Sequence, residues 1–380
     1  MEMSELPFFD ERHRTLAARA SKLCSDRLVP LSSTEIEDAR SSAVEYVALL
    51  GQEELFDPAL GRALEGDAPR PELRSLVLVR ELLGNVSGLC DAAYGAQIQG
   101  MFPIALSGNE DQRAIHLPGM AAGQSLVGLA LLDGDDGPAL LKKTGDGYLL
   151  SGSKQMVPLA PIADRFVVLA RHVDDGPARF SLVIVEATAV QIESEEFISS
   201  LPVGKLALEN IELDEDARLG GEGQGLVITQ ATLDMFRLPT AAACVGIGTQ
   251  AIRRGTKEIL QRGVGGRRLA DQQGLLWALG DVHARVEAAK AVVAQAVWKR
   301  DTSAARDAAG TAIARQLAQD AAEAAVNLVA DLIGLRGLRT SAPWERLAAE
   351  VRALRLETEF LENARTIIGQ ALLAGIEGKK

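Results

Sequence analysis

Cysteine is scarce in this chain. Cys24, Cys90 and Cys244 are the only three in 380 residues. They are odd in number and far apart, which excludes a disulfide framework or a cysteine-built zinc site. Small reduced core thiols in a cytoplasmic setting are the expectation. Histidine is equally sparse, and His13, His116, His172 and His283 show no metal-ligand spacing, so no metal site is expected. No uninterrupted apolar stretch reaches the roughly 18 residues that a membrane-spanning helix needs, so no membrane insertion is expected. The opening MEMSELPFFDERHRTLAARA is acidic early and has no apolar signal core, which argues against a secretion signal. A basic excess is missing too. The net charge of −12 disfavours a broad nucleic-acid-binding surface.

What is present falls into three textures. A chain of 380 residues, 47% of them hydrophobic, is long enough for several packed layers around a sizeable core. Residues 1–122 read as helices, with apolar positions at helical spacing in ERHRTLAARASKLCSDRL and ELRSLVLVRELLGNVSGLCDAAYGAQI. Between them, GQEELFDPALGRALEGDAPRPE reads as a loop or short turn. Residues 123–222 read as a β-domain of six to eight strands. Short apolar runs such as RFVVLAR and FSLVIVE alternate there with turn stretches such as DGDDGP and TGDG. Residues 223–380 return to four or five long Ala-rich helices, interrupted at QRGVGGRRL and GLRGLRTSAPWE, which read as a bundle. Part of such a stripe is expected to meet another subunit.

The order helical domain, β-domain, helical bundle resembles the acyl-CoA dehydrogenase family, and particular stretches carry the resemblance. GNEDQRAIHLPGMAAGQSLVGLAL (108–131) is similar to the segment leading into the family's β-domain. GDGYLLSGSKQMVPLAPIADRFVVLAR (145–171) resembles its middle stretch, with Gly-x-Lys and then Ala-Asp. DEDARLGGEGQGL (214–226) resembles the exit from that domain, and FRLPTAAACVGIG (236–248) the next helix, with Arg237 in place. Arg262, Gly266, Leu269, Gln273 and Asp281 match an Arg-x-x-x-Gly-x-x-Leu … Gln … Asp pattern. APWERLAAEVRALRL keeps Pro343, Glu345, Arg346 and Arg352. The resemblance implies an α+β multidomain fold: N-terminal helical domain, middle β-barrel domain, C-terminal helical bundle.

It also implies FAD and an acyl-CoA or acyl-carrier thioester. A carboxylate takes the α-proton while the β-hydrogen leaves as hydride, and electrons pass on to an electron-transfer flavoprotein. Such a carboxylate needs an apolar setting that lifts its pKa toward working pH. Here the chain departs from the family pattern. The usual glutamate position is Thr358, flanked by Glu357 and Glu359, with Phe360 after them. The family's alternative position is Phe236. Glu357 and Glu359 are the candidate bases; the other possibility is that they and Glu362 form a solvated set near Arg352, Arg355 and Arg365. The flavin-facing loop reads LLDGDDGPAL (131–140), without a hydroxyl, and the flavin-packing triplet reads Met156-Val157-Pro158.

For the adenosine end, the candidates are Arg262 and Gln273 with Gly334 and Gly337. Arg262 is a pyrophosphate ligand or a surface arginine at a helix end. Gln273 is a ribose-edge contact or a bundle hydrogen bond, and the glycines are ligand turns or helix stops. Three functions stay open: a flavoenzyme with an unusual base, a catalytically silent partner of a heteromeric dehydrogenase, or a cofactor-free thioester-binding protein. Each is expected to form homo- or hetero-oligomers, dimer or tetramer, through the bundle.

Overall fold

A computed structural model describes residues 2–65, 67, 69–135, 137–173, 177–303, 306–339, 342–359 and 363–377. Ten helices of eight residues or more occur among them: α1 (Glu11–Leu23), α2 (Ala39–Gln52), α3 (Leu73–Val86), α4 (Gly88–Ser107), α5 (Glu110–Ala121), α6 (Gly225–Leu260), α7 (Gln273–Thr302), α8 (Ala308–Ile333), α9 (Trp344–Glu359) and α10 (Ala364–Glu377). The strands are β1 (Val127–Ala130), β2 (Leu140–Thr144), β3 (Gly147–Pro158), β4 (Arg165–His172), β5 (Phe180–Glu186), β6 (Gln191–Glu195), β7 (Val203–Asp214), β8 (Arg218–Leu219), β9 (Gly263–Val264) and β10 (Arg267–Arg268). Helix starts follow local chemistry. The Asp38 side chain accepts from Ser41 N and Asp307 from Gly310 N, while Asn109 and Gln112 form a reciprocal capping box at α5. None of the described helices is long and apolar enough to cross a membrane.

The stretch expected as a loop or short turn at residues 51–72 contains two short helical turns, Asp57–Leu60 and Gly61–Glu65. Pro58 sits in the first turn, where its fixed φ suits a helix start. Phe56, Ala59 and Leu60 are fully buried, so packing gives these turns a stability that composition alone does not suggest.

Contacts divide the chain into two compact units. The first comprises Met1–Ile36, Leu73–Asp91 and Arg237–Lys380. Here α8 packs on α7, α9 and α10, and α3 packs on α1 and α7. Buried alanines of α8 (Ala314, Ala318, Ala322 and Ala325) let its neighbours approach closely. The crossing of α3 with α6 is tighter still. A Cβ on Gly246 would lie 2.3 Å from the Glu81 carbonyl oxygen, and one on Gly84 would lie 2.7 Å from that of Ala243. The C-terminal carbonyls of α3 are satisfied from α6. Gln250 Nε2 and Arg254 Nη2 donate to Val86 O, and Arg253 Nη2 donates to Asn85 O at 2.9 Å.

A buried ion pair crosses the same core. Arg80 Nε and Nη2 donate to the two Asp91 carboxylate oxygens at 2.9 and 2.6 Å, and Nη1 donates to Thr240 Oγ1 at 3.1 Å. Burial pushes the Asp91 carboxyl upward, and the guanidinium pulls it back toward the charged form. All three cysteines are buried free thiols.

The second unit comprises Glu37–Glu72 and Ala92–Phe236. Its centre is an eight-stranded mixed sheet in the order β6-β7-β3-β2-β4-β5-β8, with β1 parallel to β4. Alternation along β4 and β5 puts Phe166 opposite Val185 and Val168 opposite Val183 on the buried face, joined there by Tyr148, Leu150 and Leu206. Side-chain amides fasten the helices to the sheet. Gln97 Nε2 donates to Met120 O and Ser125 O, and its Oε1 accepts from Val127 N. Asp164 Oδ2 accepts from Leu126 N at 2.8 Å. These bonds fix where β1 begins, and so where its C-terminal end delivers the following loop.

Candidate functional site

The break at QRGVGGRRL forms a β9–β10 hairpin, with Gly265 and Gly266 at its turn and Leu269 N donating to Arg262 O at 2.9 Å. The hairpin leaves α6 at Arg262. This side chain reaches the C-terminus of α8, where Nη1 donates to Leu332 O at 3.1 Å and to Ile333 O at 3.3 Å. The next residue, Gly334, ends α8 at φ 65° and ψ −151°, a conformation that a side chain would strain. Gly337 lies under Trp344, where a Cβ would come within 3.1 Å of the indole. Arg262 and the end of α8 at Leu332, 70 residues apart in sequence, are thus brought together. Gln273 opens α7 with an exposed side chain.

Part of Arg262 stays open. Its Nε and Nη2 have no partner among the described residues. One edge of the guanidinium therefore holds a helix end, while the other presents two parallel donors, the geometry that suits a phosphate. That donor set fits the pyrophosphate of a dinucleotide such as FAD.

The flavin-facing stretches of the resemblance lie on the rim of the sheet. Lys154, in the Gly-x-Lys motif of β3, is 1% exposed. Its Nζ donates to Leu131 O at 3.0 Å and to Asp133 Oδ1 at 2.6 Å. Burial pushes the Lys154 ammonium down from its ordinary range, and Asp133 opposes that shift. Asp133 Oδ1 also accepts from Ala139 N, Gly134 N donates to Ser153 O, and Gln155 N donates to Leu132 O. The loop from 131 to 139 is therefore pinned along β3. Beyond Lys154 a bulge shifts the register, and Met156 (φ 52°) and Leu159 (φ 61°) are both left-handed. Such strain in two non-glycine residues is held by neighbours: Met156 N donates to Glu195 Oε2 and Leu159 N to Pro202 O.

The Lys154–Asp133 pair was not among the expected site residues, although the pattern of β3 contains the signal. Lys154 shares the even-numbered, inward face with Tyr148 and Leu150. A lysine in phase with core positions needs a buried carboxylate or carbonyl partner.

The candidate bases lie at the end of α9. The backbone of Glu357, Thr358 and Glu359 is helical. Their side chains, with Phe360 and Glu362, lie outside the described residues. Phe236, at the family's other base position, is buried in α6 at 2% exposure. Arg355 pairs across to α8, with Nη1 2.8 Å from Glu323 and Nη2 3.6 Å from Asp320. Between these two helices lies a cavity of about 30 Å³, lined by Gln319, Asn327, Val351 and Arg352 among others. This is room for water, not for an acyl chain.

Comparison with known proteins bears on the fold and the family. Residues 10–124 match the family model for the acyl-CoA dehydrogenase N-terminal domain, and residues 223–373 match that for the C-terminal domain. An acyl-CoA dehydrogenase of Bacillus subtilis is 31% identical over 291 residues, covering 73% of this chain and 76% of its own length. A 3-(aryl)acrylate reductase of Clostridium sporogenes is 24% identical, with 96% and 100% covered. Among solved structures, butyryl-CoA dehydrogenase of Megasphaera elsdenii superposes with a TM-score of 0.83 at 21% identity, over 96% of this chain and 99% of that one. An acyl-CoA dehydrogenase complexed with FAD from Bacillus anthracis gives 0.86 at 21%, over 98% and 70%. The chain belongs to the acyl-CoA dehydrogenase family.

Proposed function

We propose that this chain is a flavoprotein that binds FAD and acts on an acyl-CoA or acyl-carrier thioester by α,β-dehydrogenation, with an atypical proton-abstracting group. The open Nε–Nη2 edge of Arg262, held beside the Gly334 turn, carries the cofactor half of the proposal. In the sheet unit, the rim around Lys154 and Asp133 is pinned, and residues 131–139 contain no hydroxyl. FAD, when bound, supplies the hydride acceptor. The chain's own contribution is to orient the thioester, exclude water and hold a carboxylate that takes the α-proton. Glu357 and Glu359 are proposed for that proton, because Thr358 and Phe236 occupy the two usual positions and neither ionises as a carboxylate.

Relatives named as reductases, one of them a subunit of a caffeyl-CoA reductase–Etf complex of Acetobacterium woodii, support an electron-transfer flavoprotein as redox partner. Oligomerisation through the bundle, as dimer or tetramer, is supported by the exposure of Trp277 (69%) and Leu335 (87%). We place these roles in a three-part chain divided at 1–122, 123–222 and 223–380.

The residue at each usual base position also favours a second function, a catalytically silent subunit of a heteromeric dehydrogenase. A visible spectrum separates the two. With FAD added, a flavin band that bleaches when acyl-CoA is supplied anaerobically supports the enzyme. A flavin band that no acyl-CoA bleaches supports the silent subunit, and a colourless protein that takes up no FAD removes the flavoprotein proposal.

A further inference from the structure

The stretch that leaves the sheet for α6 is fastened at several points. Gln112 Nε2 of α5 donates to Asp216 O and Arg218 O, and Arg218 Nε donates to the Tyr148 hydroxyl at 3.0 Å. Beyond them Gly220 (φ 65°) and Gly223 (φ 82°) turn the backbone back over β5. The approach at Gly225 is close, since a Cβ there would lie 2.8 Å from the Phe180 carbonyl oxygen. Between these points Gly223 N donates to Ser181 Oγ at 3.1 Å, and the same Oγ lies 2.8 Å from His172 Nε2. Ser181 is 0% exposed and His172 6%.

A hydroxyl has one proton and two lone pairs. The Gly223 N–H takes one lone pair of Ser181 Oγ. Among the described residues, His172 Nε2 is the hydroxyl's only acceptor. The satisfied arrangement therefore has Ser181 donating to an unprotonated Nε2, which requires a neutral imidazole. A proton on Nε2 reverses that bond. Oγ then receives two N–H groups, and its own proton turns into a buried space where no described residue accepts it. The charged groups around His172 are settled in ion pairs. Arg179, whose carbonyl accepts from His172 N, shares Glu222 with Lys143 of β2. Arg218 reaches Glu215 at 3.5 Å behind Tyr148, whose ring meets the imidazole edge-on at 6.2 Å. Carboxylates, lysine, arginine and tyrosine keep their charge state over the range in which histidine titrates, so the imidazole is the group that changes.

We propose that His172 and Ser181 form a proton-operated latch on residues 220–224: the neutral imidazole closes it through Ser181, and the imidazolium opens it. The closed latch holds one proton fewer than the open one, so acid opens it. The residues it releases lead the chain into α6, so the latch governs how firmly the start of that helix is held against the sheet. The inference does not depend on the flavoprotein proposal.

The test follows amide exchange in the full-length chain between about pH 8 and about pH 5.5, each rate divided by the unstructured-chain rate at the same pH. In the wild type, protection at Gly223 is expected to fall roughly tenfold as the pH drops, while Val183 and Val185 in the middle of β5 keep theirs. Ser181→Ala is expected to show the acid level at every pH. His172→Gln carries an amide that does not titrate, so Gly223 should be insensitive to pH, whatever its level of protection. The His172 ring proton, followed by NMR, should titrate with the same midpoint as the loss of protection. Protection at Gly223 that stays flat in the wild type would overturn the latch. So would a fall shared by Val183 and Val185, a decline that persists in His172→Gln, wild-type behaviour in Ser181→Ala, or two different midpoints.

Discussion

Two buried cations hold the two units of this chain, and they do so differently. In the helical unit, Arg80 and Asp91 are 2% and 1% exposed, and all three Arg80 nitrogens donate to protein acceptors. In the sheet unit, Lys154 is 1% exposed but its partner Asp133 is 36% exposed. The first pair ties three helical segments together with both charges out of water. The second ties one loop to one strand, with its carboxylate still able to reach solvent. Desolvation therefore decides the consequence of losing a partner. A fully buried pair is scaffold, and a half-open pair is a fastening that a loop can lose while the fold remains.

The largest expected effect breaks the scaffold pair. Asp91→Ala leaves the Arg80 guanidinium buried and uncompensated and is expected to cost about 3–5 kcal/mol in urea denaturation. The double variant Arg80→Met with Asp91→Leu should recover much of that loss. If it is no more stable than Asp91→Ala, the damage lies in shape and not in charge.

Next in size is the α3–α6 crossing. Gly246→Ala puts a methyl 2.3 Å from a backbone oxygen and forces the helices apart, at an expected cost of about 1–3 kcal/mol. An unchanged midpoint would mean that the crossing yields without cost. Lys154→Met is expected to cost less, about 1–2 kcal/mol, since Asp133 can rehydrate. Its mark should be local: faster amide exchange at 131–139, with the helical unit unaffected. A global loss matching that of Asp91→Ala would erase the distinction between scaffold and fastening.

Much of the architecture was legible because it is periodic. The Ala stripe of α8 and the short apolar runs of β4 and β5, bounded by turn residues, announce their elements in the order of residues. The stretch at 57–65 was read only as a loop or short turn; its helical form was not legible because burial of Phe56 and Leu60, not composition, stabilises it. The site was legible only as residue types in a familiar order. That Arg262 caps α8 depends on a meeting across 70 residues, which no local pattern encodes. The partnership of Lys154 with Asp133 was visible only as a lysine on the wrong face of a strand. The roles of Glu357 and Glu359 turn on side chains outside the described residues.

The two units also differ in how alkali should affect them, and this is the smallest and sharpest expectation. Burial pushes the Cys24 thiol up to about 12 from an ordinary value of 9.0, with Glu81 adding to the shift. The unfolded thiol ionises near 9 while the folded one keeps its proton, so the native state binds more protons in that window. Stability from this group is complete below the lower value and is lost as pH rises toward the higher one, by about 1 kcal/mol at pH 10. Lys154 has the opposite sign. Its folded value is depressed below its ordinary 10.5, so the unfolded state binds more protons in the window beneath that value, and stability from this group rises with pH there. Cys24→Ala should therefore flatten the alkaline decline, and Lys154→Met should steepen it, when denaturation midpoints are compared between about pH 8 and pH 10. Parallel slopes in the two variants would show that neither group titrates differently on folding, and the contrast between a sealed helical core and a half-open rim would lose its electrostatic basis.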